Sequence, residues 1–273
     1  MPRPTLLWLA IGWLALMATV ALFAPIIAPY GFAEQDLLAR LKPPSFAGGP
    51  EGHFLGTDHL GRGVLSRLIY AIRISMMVAV LGALIGAAIG TLLGFFAAHF
   101  RGLVEETIMG LVDIQAALPF FIFALLVIAF FGSDLTLFVV LVGFFGWERF
   151  ARLGRALVVD ARTHGYAEAA RAAGLPPRRI YLVHILPNVL SAMVVQLTLN
   201  LPETILLEAS LSFLGLGIQP PLTSLGLMLN DARPYIALYW WLPAAPGVVI
   251  FLTTLSVSLL GDALRDRLDS SLR

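Results

Sequence analysis

Residues 166–188 read YAEAARAAGLPPRRIYLVHILPN. Long apolar runs flank this stretch, so an Ala- and Arg-rich piece interrupts a greasy chain. Thr163 is placed to cap a helix running to Ala173. Gly174 suits the left-handed position just past a helix end, and Pro176 and Pro177 forbid continuation. A second helix, from Arg178 to about Leu186, then leads through Pro187 into the next apolar run. The first helix presents mainly Ala167, Ala169, Ala170, Ala172 and Ala173. So thin a helix buries little apolar area and has no anchor in lipid, but it fits a groove on another protein. A plain loop between two membrane spans is the competing reading.

Working outward, the chain of 273 residues is 59% apolar and 13% charged, against about 25% charged in an ordinary soluble domain. Lipid is therefore the solvent for most of it. The net charge of +1 gives no case for a nucleic-acid binder. With no cysteine there is no disulfide framework, zinc finger or thiol nucleophile. The five His form no HExxH pair, so spacing supplies no metal site.

Charges cluster, and the gaps between them mark membrane spans. None occurs between Arg3 and Glu34, Arg73 and Arg101, Asp113 and Asp134, or Arg233 and Asp262. Each gap accommodates the roughly 20 residues that a spanning helix needs. A further span starts near Leu135 and runs to about Phe150, with Glu148 at its end. Another starts near Pro187 and passes Glu203 toward Ser210. The expectation is an all-α polytopic membrane protein with six spans. The first segment lacks a small-x-small cleavage site before Tyr30 and its apolar run is long for a signal core, so it reads as a retained span. With six spans both termini share one side. That side carries twelve of the 18 Lys and Arg, including seven between 149 and 179. The excess places both termini, and the quoted stretch, in the cytoplasm.

Within the second span Gly82, Gly86, Gly90 and Gly94 recur every four residues and form a ridge without side chains, widened by Ala83, Ala87 and Ala97. Such ridges let membrane helices approach closely. The ridge serves either internal packing or a seam that slides or pairs with a second subunit. The loop 30–67 is rich in Pro and Gly. The stretch 56–75 then carries Asp58, Arg62, Arg67 and Arg73, read as a short interfacial helix entering the span or as a solvated ionic cluster. LSFLGLG (211–217), followed by Pro220, Pro221 and Pro234, reads as a re-entrant or capping piece, because irregular backbone at membrane depth must be buried in protein or line a cavity. Tyr235, Tyr239, Trp240 and Trp241 read as an interfacial aromatic belt. Asp113, Glu203 and Glu208 lie in or near spans, where charges are costly and face a cavity or a partner. They are candidate pathway residues, with an internal hydrogen-bond role favoured for Asp113 and a structural role open for Glu203.

The quoted stretch resembles the EAA loop of membrane subunits of ATP-binding-cassette (ABC) importers. Glu168-Ala169-Ala170, Gly174 and Leu186-Pro187 stand at the motif's spacing, and His184 occupies its Ile position. GTDHLGR (56–62), ASLSFLGLG (209–217), HILPN (184–188) and GDALRD (261–266) are similar to the second permease subunit of dipeptide, oligopeptide and nickel importers. The likeness runs from about residue 5 to 273. Gly63 stands where that family usually has Asp, Leu225 where it has Trp, and Asp269-Ser270-Ser271 where it has Asp-Pro-Arg.

The resemblance implies a type I ABC importer permease fold in the bacterial inner membrane. Residues 1–68 would form an N-terminal span and external loop, and residues 69–273 a five-helix core with a coupling loop at about 160–187. Tyr166, Glu168, Ala169, Ala170, Gly174, His184, Leu186 and Pro187 would carry that loop. It also implies partners: a second permease subunit in a heterodimer, two ATPase subunits holding ATP and Mg, and an extracytoplasmic substrate-binding protein. The chain has no GxxxxGK[ST] loop of its own, so it is not itself the ATPase. Di- or oligopeptides are the expected cargo, with nickel or another small solute as the alternative. Two other classes compete. An ion-gradient-driven transporter leaves the Arg-rich loop without a task, and no internal repeat supports it. An intramembrane hydrolase lacks a GxSxG elbow, and only Asp113 and Asp262 are available as a membrane aspartate pair.

Overall fold

The computed structural model describes residues 4–31, 34–161, 174–176 and 179–268. Among them the secondary structure is helical, with one isolated antiparallel bridge between Thr57 and Gly63. In order the helices are α1 (Pro4–Ile27), α2 (Val64–Phe100), α3 (Gly102–Ala117), α4 (Phe120–Phe131), α5 (Leu135–Gly143), α6 (Trp147–Ala161), α7 (Leu186–Phe213), α8 (Leu225–Ala232) and α9 (Trp241–Leu268). A π-helical turn, Ile180–Ile185, runs directly into α7. The second loop helix expected from Arg178 is therefore continuous with the following span.

α1, α2, α7 and α9 are each long and apolar enough to cross a membrane. α3 and α4 pass that test only as a pair, bent by 94°. The cause is local. Pro119 lacks an N–H and forces Leu118 into extended backbone (φ −86°, ψ 131°). The span expected between Asp113 and Asp134 is thus a broken one. The span expected from Leu135 to Phe150 is divided as well. α5 stops at Gly143, Gly146 turns the chain with φ +80°, and α6 starts at Trp147. Among the described residues the count of spans is four, or five with the bent pair, against the six expected. The α5–α6 segment is not among them.

α2 is the axis of the bundle. Its first turns pack with α1, α8 and α9 around Leu68, Ile72, Met228, Leu242 and Ile250. Further along, Val78 joins Phe138, Leu141 and Val142 of α5 and Leu207 and Leu211 of α7. Near its far end Ala98 meets Val158 of α6 and Ile185 and Val189 at the start of α7. Trp8, Leu22, Phe130, Phe131 and Phe251 project outward, as expected of surfaces solvated by lipid tails.

The loop between α1 and α2 is folded rather than loose. Thr57 N–H donates to the Lys42 carbonyl at 3.0 Å, Lys42 N–H to Thr57 Oγ1 at 2.9 Å, and Arg40 Nε to the His59 carbonyl at 2.6 Å. No separate interfacial helix precedes the span, since α2 begins at Val64. LSFLGLG begins inside α7, which continues to Phe213. Residues 214–224 then turn the chain into α8, whose Leu225, Gly226, Leu227 and Met228 are buried.

Candidate functional site

The glycine ridge faces α5 and α6 of the same chain. A Cβ on Gly82 would lie 2.6 Å from Val142 Cγ1, on Gly86 2.8 Å from the Gly143 carbonyl, on Gly90 2.2 Å from the Trp147 carbonyl, and on Gly94 2.4 Å from the Ala151 carbonyl. Backbone touches backbone along two helical turns, which only glycine permits. Trp147, Phe150, Ala151, Gly154 and Val158 are the buried face of α6.

The other face of α6 carries Arg149, Arg152 and Arg155. A spacing of three residues keeps them on one side of the helix. Each meets an acid on another helix. Arg149 Nη1 donates to Glu203 Oε2 of α7, Arg152 Nη2 to Asp113 Oδ1 of α3 at 2.9 Å, and Arg155 Nε to Glu105 Oε1 of α3. Arg149 also sits 5.7 Å over the Phe145 ring. Asp113 and Glu203, singled out from sequence, are therefore ion-paired to one helix. Sequence reading missed their partners, although the three-residue Arg spacing was visible in it.

Glu208 lies elsewhere. It is fully buried and accepts from Ser212 Oγ at 2.8 Å, its second oxygen having no hydrogen-bond partner among the described residues. It does not join Asp113 and Glu203. Nearby, Ser75 Oγ accepts from Leu225 N–H at 3.0 Å, which pins the start of α8 to α2, and Ser224 Oγ caps α8 by accepting from Leu227 N–H at 3.2 Å.

Of the charges at the entry to α2, Asp58 and Arg67 are buried rather than solvated, while Arg73 is exposed. Arg67 Nη1 donates to Asp58 Oδ2 at 2.6 Å and Arg67 Nη2 to Asp231 Oδ2 of α8 at 2.8 Å, while Arg62 Nε donates to Asp58 Oδ2 at 2.7 Å. The Asp58 and Arg67 side chains are each 4% exposed. Burial works against the Asp58 carboxylate, but Arg67 and then Arg62 outweigh it and hold the carboxyl below its ordinary value. Burial holds the His59 imidazole below its ordinary value against the pull of Asp58 and Asp231, and the ring stacks on Tyr235 at 5.6 Å. This cluster fastens the α1–α2 loop to α8 and the head of α2.

Of the residues expected to form a coupling loop, Tyr166, Glu168, Ala169 and Ala170 lie outside the described residues, as does the His184 side chain. Gly174 is exposed with φ +73°, in the left-handed region of the backbone. Leu186 and Pro187 open α7.

A cavity of about 470 Å³ opens between α6, α7 and α9, with Leu153, Val195, Gln196, Leu199 and Arg265 among its walls. Its polar groups are uncharged apart from Arg265. The described residues hold no cluster of three His, Cys, Asp or Glu disposed to bind a metal.

Comparison with known proteins gives this architecture a lineage. Residues 90–273 match the family described as the binding-protein-dependent transport system inner membrane component. Residues 5–44 match the N-terminal transmembrane domain of oligopeptide transport permease C. The chain is 40% identical to the di/tripeptide transport system permease protein DppC of Pseudomonas aeruginosa over 97% of its own length and 88% of that protein. It is 40% identical to the dipeptide permease DppC of Escherichia coli, covering 96% and 87%, and 36% identical to the oligopeptide permease OppC of that organism, covering 94% and 84%. Among solved structures, the MetNI methionine ABC transporter in inward-facing conformations superposes with a TM-score of 0.57 at 19% identity, over 75% of this chain and 95% of that one. An amino acid ABC transporter crystallised with histidines gives 0.55 at 15% identity, over 73% and 93%. The structural likenesses speak for the fold alone, that of type I ABC importer permeases. The sequence matches go further: the chain belongs to the family of inner membrane components of binding-protein-dependent transport systems.

Proposed function

We propose that this permease subunit carries di- or oligopeptides across the bacterial inner membrane, driven by ATP hydrolysed on partner subunits. The observation that carries the cargo class is the 40% identity, along nearly the whole chain, to a di/tripeptide permease and a dipeptide permease. In this reading residues 1–68 form the first span and an outer loop, and residues 69–273 form the core. A second permease subunit completes the pathway, and a binding protein delivers peptide from outside. Two ATPase subunits hold ATP and Mg.

The loop around Tyr166, Glu168, Ala169, Ala170 and Gly174 seats in the ATPase. His184, Leu186 and Pro187 tie it to α7. Support for a rigid tie comes from the continuous passage of the π-helical turn into α7. A piece rigidly joined to a 28-residue helix passes on rigid-body motion that a floppy linker would absorb.

The test is an affinity pull-down of the tagged chain in mild detergent, followed by mass spectrometry. Recovery of a second permease, ATPase subunits and a peptide-loaded binding protein is the expected result. Recovery of the chain alone, in a detergent that preserves a control importer, would refute the reading.

A further inference from the structure

Four charged side chains of α3, α6 and α7 are exposed where exposure to lipid is costly. The Arg149 and Glu203 side chains are 41% and 48% exposed, those of Arg152 and Asp113 50% and 71%. At 1.5 Å per residue, Glu203 lies roughly 26 Å along a helix about 42 Å long, near its middle. Charges at such depth face water or protein, not hydrocarbon. The buried face of α6 is already taken by the glycine ridge of α2. Its arginine face is therefore turned away from α2, toward water or a partner subunit rather than lipid.

The cavity between α6, α7 and α9 has Leu153 and Leu199 in its walls, each one helical turn from Arg149 and Glu203 respectively. Ala192, Gln196 and Leu199 line it and, with Glu203, fall on one stripe of α7 at spacings of four, three and four. Leu153 lines it one turn beyond Arg149 on α6. Arg265 of α9 also lines it. At about 470 Å³ the cavity falls within the roughly 300–1,000 Å³ of small-ligand sites. Its walls alternate apolar side chains with Ser191 and Gln196, which suits a ligand of variable side chains and a constant amide backbone.

We propose that this cavity, capped by the Arg149–Glu203 pair, is a cargo-binding site on the translocation path for short zwitterionic peptides. The inference rests on the peptide reading above. The cargo carboxylate takes Arg149 and its ammonium takes Glu203. A zwitterion supplies both signs at once, so each charge of the opened pair regains a partner of opposite sign. Cargo moving on passes its carboxylate along Gln196 toward Arg265, and the pair closes behind it. Arg152–Asp113 stands beside this step on the same face of α6.

The experiment uses the complete importer in proteoliposomes with labelled dialanine. Uptake and ATP hydrolysis stimulated by loaded binding protein are measured together. The R149Q/E203Q double variant removes both charges and orphans neither. It is expected to assemble and hydrolyse ATP normally while uptake falls at least tenfold. Gln196→Trp fills the cavity away from the ion pair and is expected to block uptake in the same way. Because the chain has no cysteine, Gln196→Cys gives it a single thiol, and a water-soluble thiol reagent is expected to modify it, with saturating dialanine slowing the reaction. Uptake within twofold of the unaltered importer in both R149Q/E203Q and Gln196→Trp, or no labelling at position 196, would overturn the site. An unaltered importer that takes up no dialanine would instead sink the peptide reading on which the site rests.

Discussion

Alanine at Gly90 would place a Cβ 2.2 Å from the Trp147 carbonyl and 2.7 Å from Phe150 Cβ. Ordinary contact begins at 3.4 Å, so one methyl group overlaps backbone by more than an ångström. A carbonyl within a helix does not swing aside, so α6 must move away from α2. Phe150 and Ala151 then lose contact with that helix. Overpacking of this kind costs about 1–3 kcal/mol, offset by up to about 1 kcal/mol of helix propensity gained from glycine to alanine. The net expectation is a loss of about 1–2 kcal/mol. In a domain of this size that lowers Tm by roughly 2–4 °C per kcal/mol. The assay is thermal unfolding of the detergent-solubilised importer, with Gly110→Ala and Gly247→Ala as controls, since nothing lies within 4 Å of a Cβ at either. Gly94→Ala should behave like Gly90→Ala, because its neighbour is also a carbonyl. Gly82→Ala should be milder, because its nearest neighbour is a valine methyl. A Gly90→Ala Tm equal to that of the controls would refute the close packing of α2 against α6.

Three other expectations follow from the same geometry. Asp58→Asn leaves Arg67 buried with one partner fewer and should cost about 3–5 kcal/mol; Asp231→Asn should cost less, since Asp231 is 27% exposed, and thermal unfolding ranks the two. The Asp58 carboxyl sits below its ordinary value, so its ion pairs stabilise fully above that value and the contribution is lost as pH falls through the lowered one; the Tm gap between the unaltered chain and Asp58→Asn should therefore be flat near neutrality and close only in strong acid, whereas a gap closing near neutrality would refute the assignment. Gly174→Asp meets no neighbour among the described residues but must adopt φ +73°, a strain of about 1–2 kcal/mol for a residue with a side chain; membrane insertion should be unchanged and peptide uptake uncoupled from ATP hydrolysis, and normal uptake would count against the turn.

The sequence by itself determined the class of molecule and its lineage. The apolar fraction and the charge gaps require a lipid solvent whatever the tertiary arrangement, since transfer of side chains from water depends on local composition. The motifs GTDHLGR, ASLSFLGLG and the EAA stretch carried the family for a similar reason: spacing along the chain is read directly. The four-residue glycine repeat announced a close helix approach, but which helix filled the ridge was not legible. That depends on azimuth and depth, and α5 and α6 come to it from more than 45 residues away.

The same limit governed the charges. Asp113 and Glu203 were visible as anomalies in apolar runs, while their pairing with Arg152 and Arg149 needed three helices placed side by side. Asp58 and Arg67, nine residues apart, read as equally suited to a wet surface. Only the approach of Asp231, on α8, made the group a buried clamp. Two expected spans are interrupted for local reasons that hydropathy does not weigh. Pro119 and the positive φ at Gly146 redirect the backbone without altering how apolar the surrounding segments are. Composition selects the solvent of a segment. The direction a helix takes through that solvent, and the partner it meets there, are decided by backbone turns and packing across the whole chain.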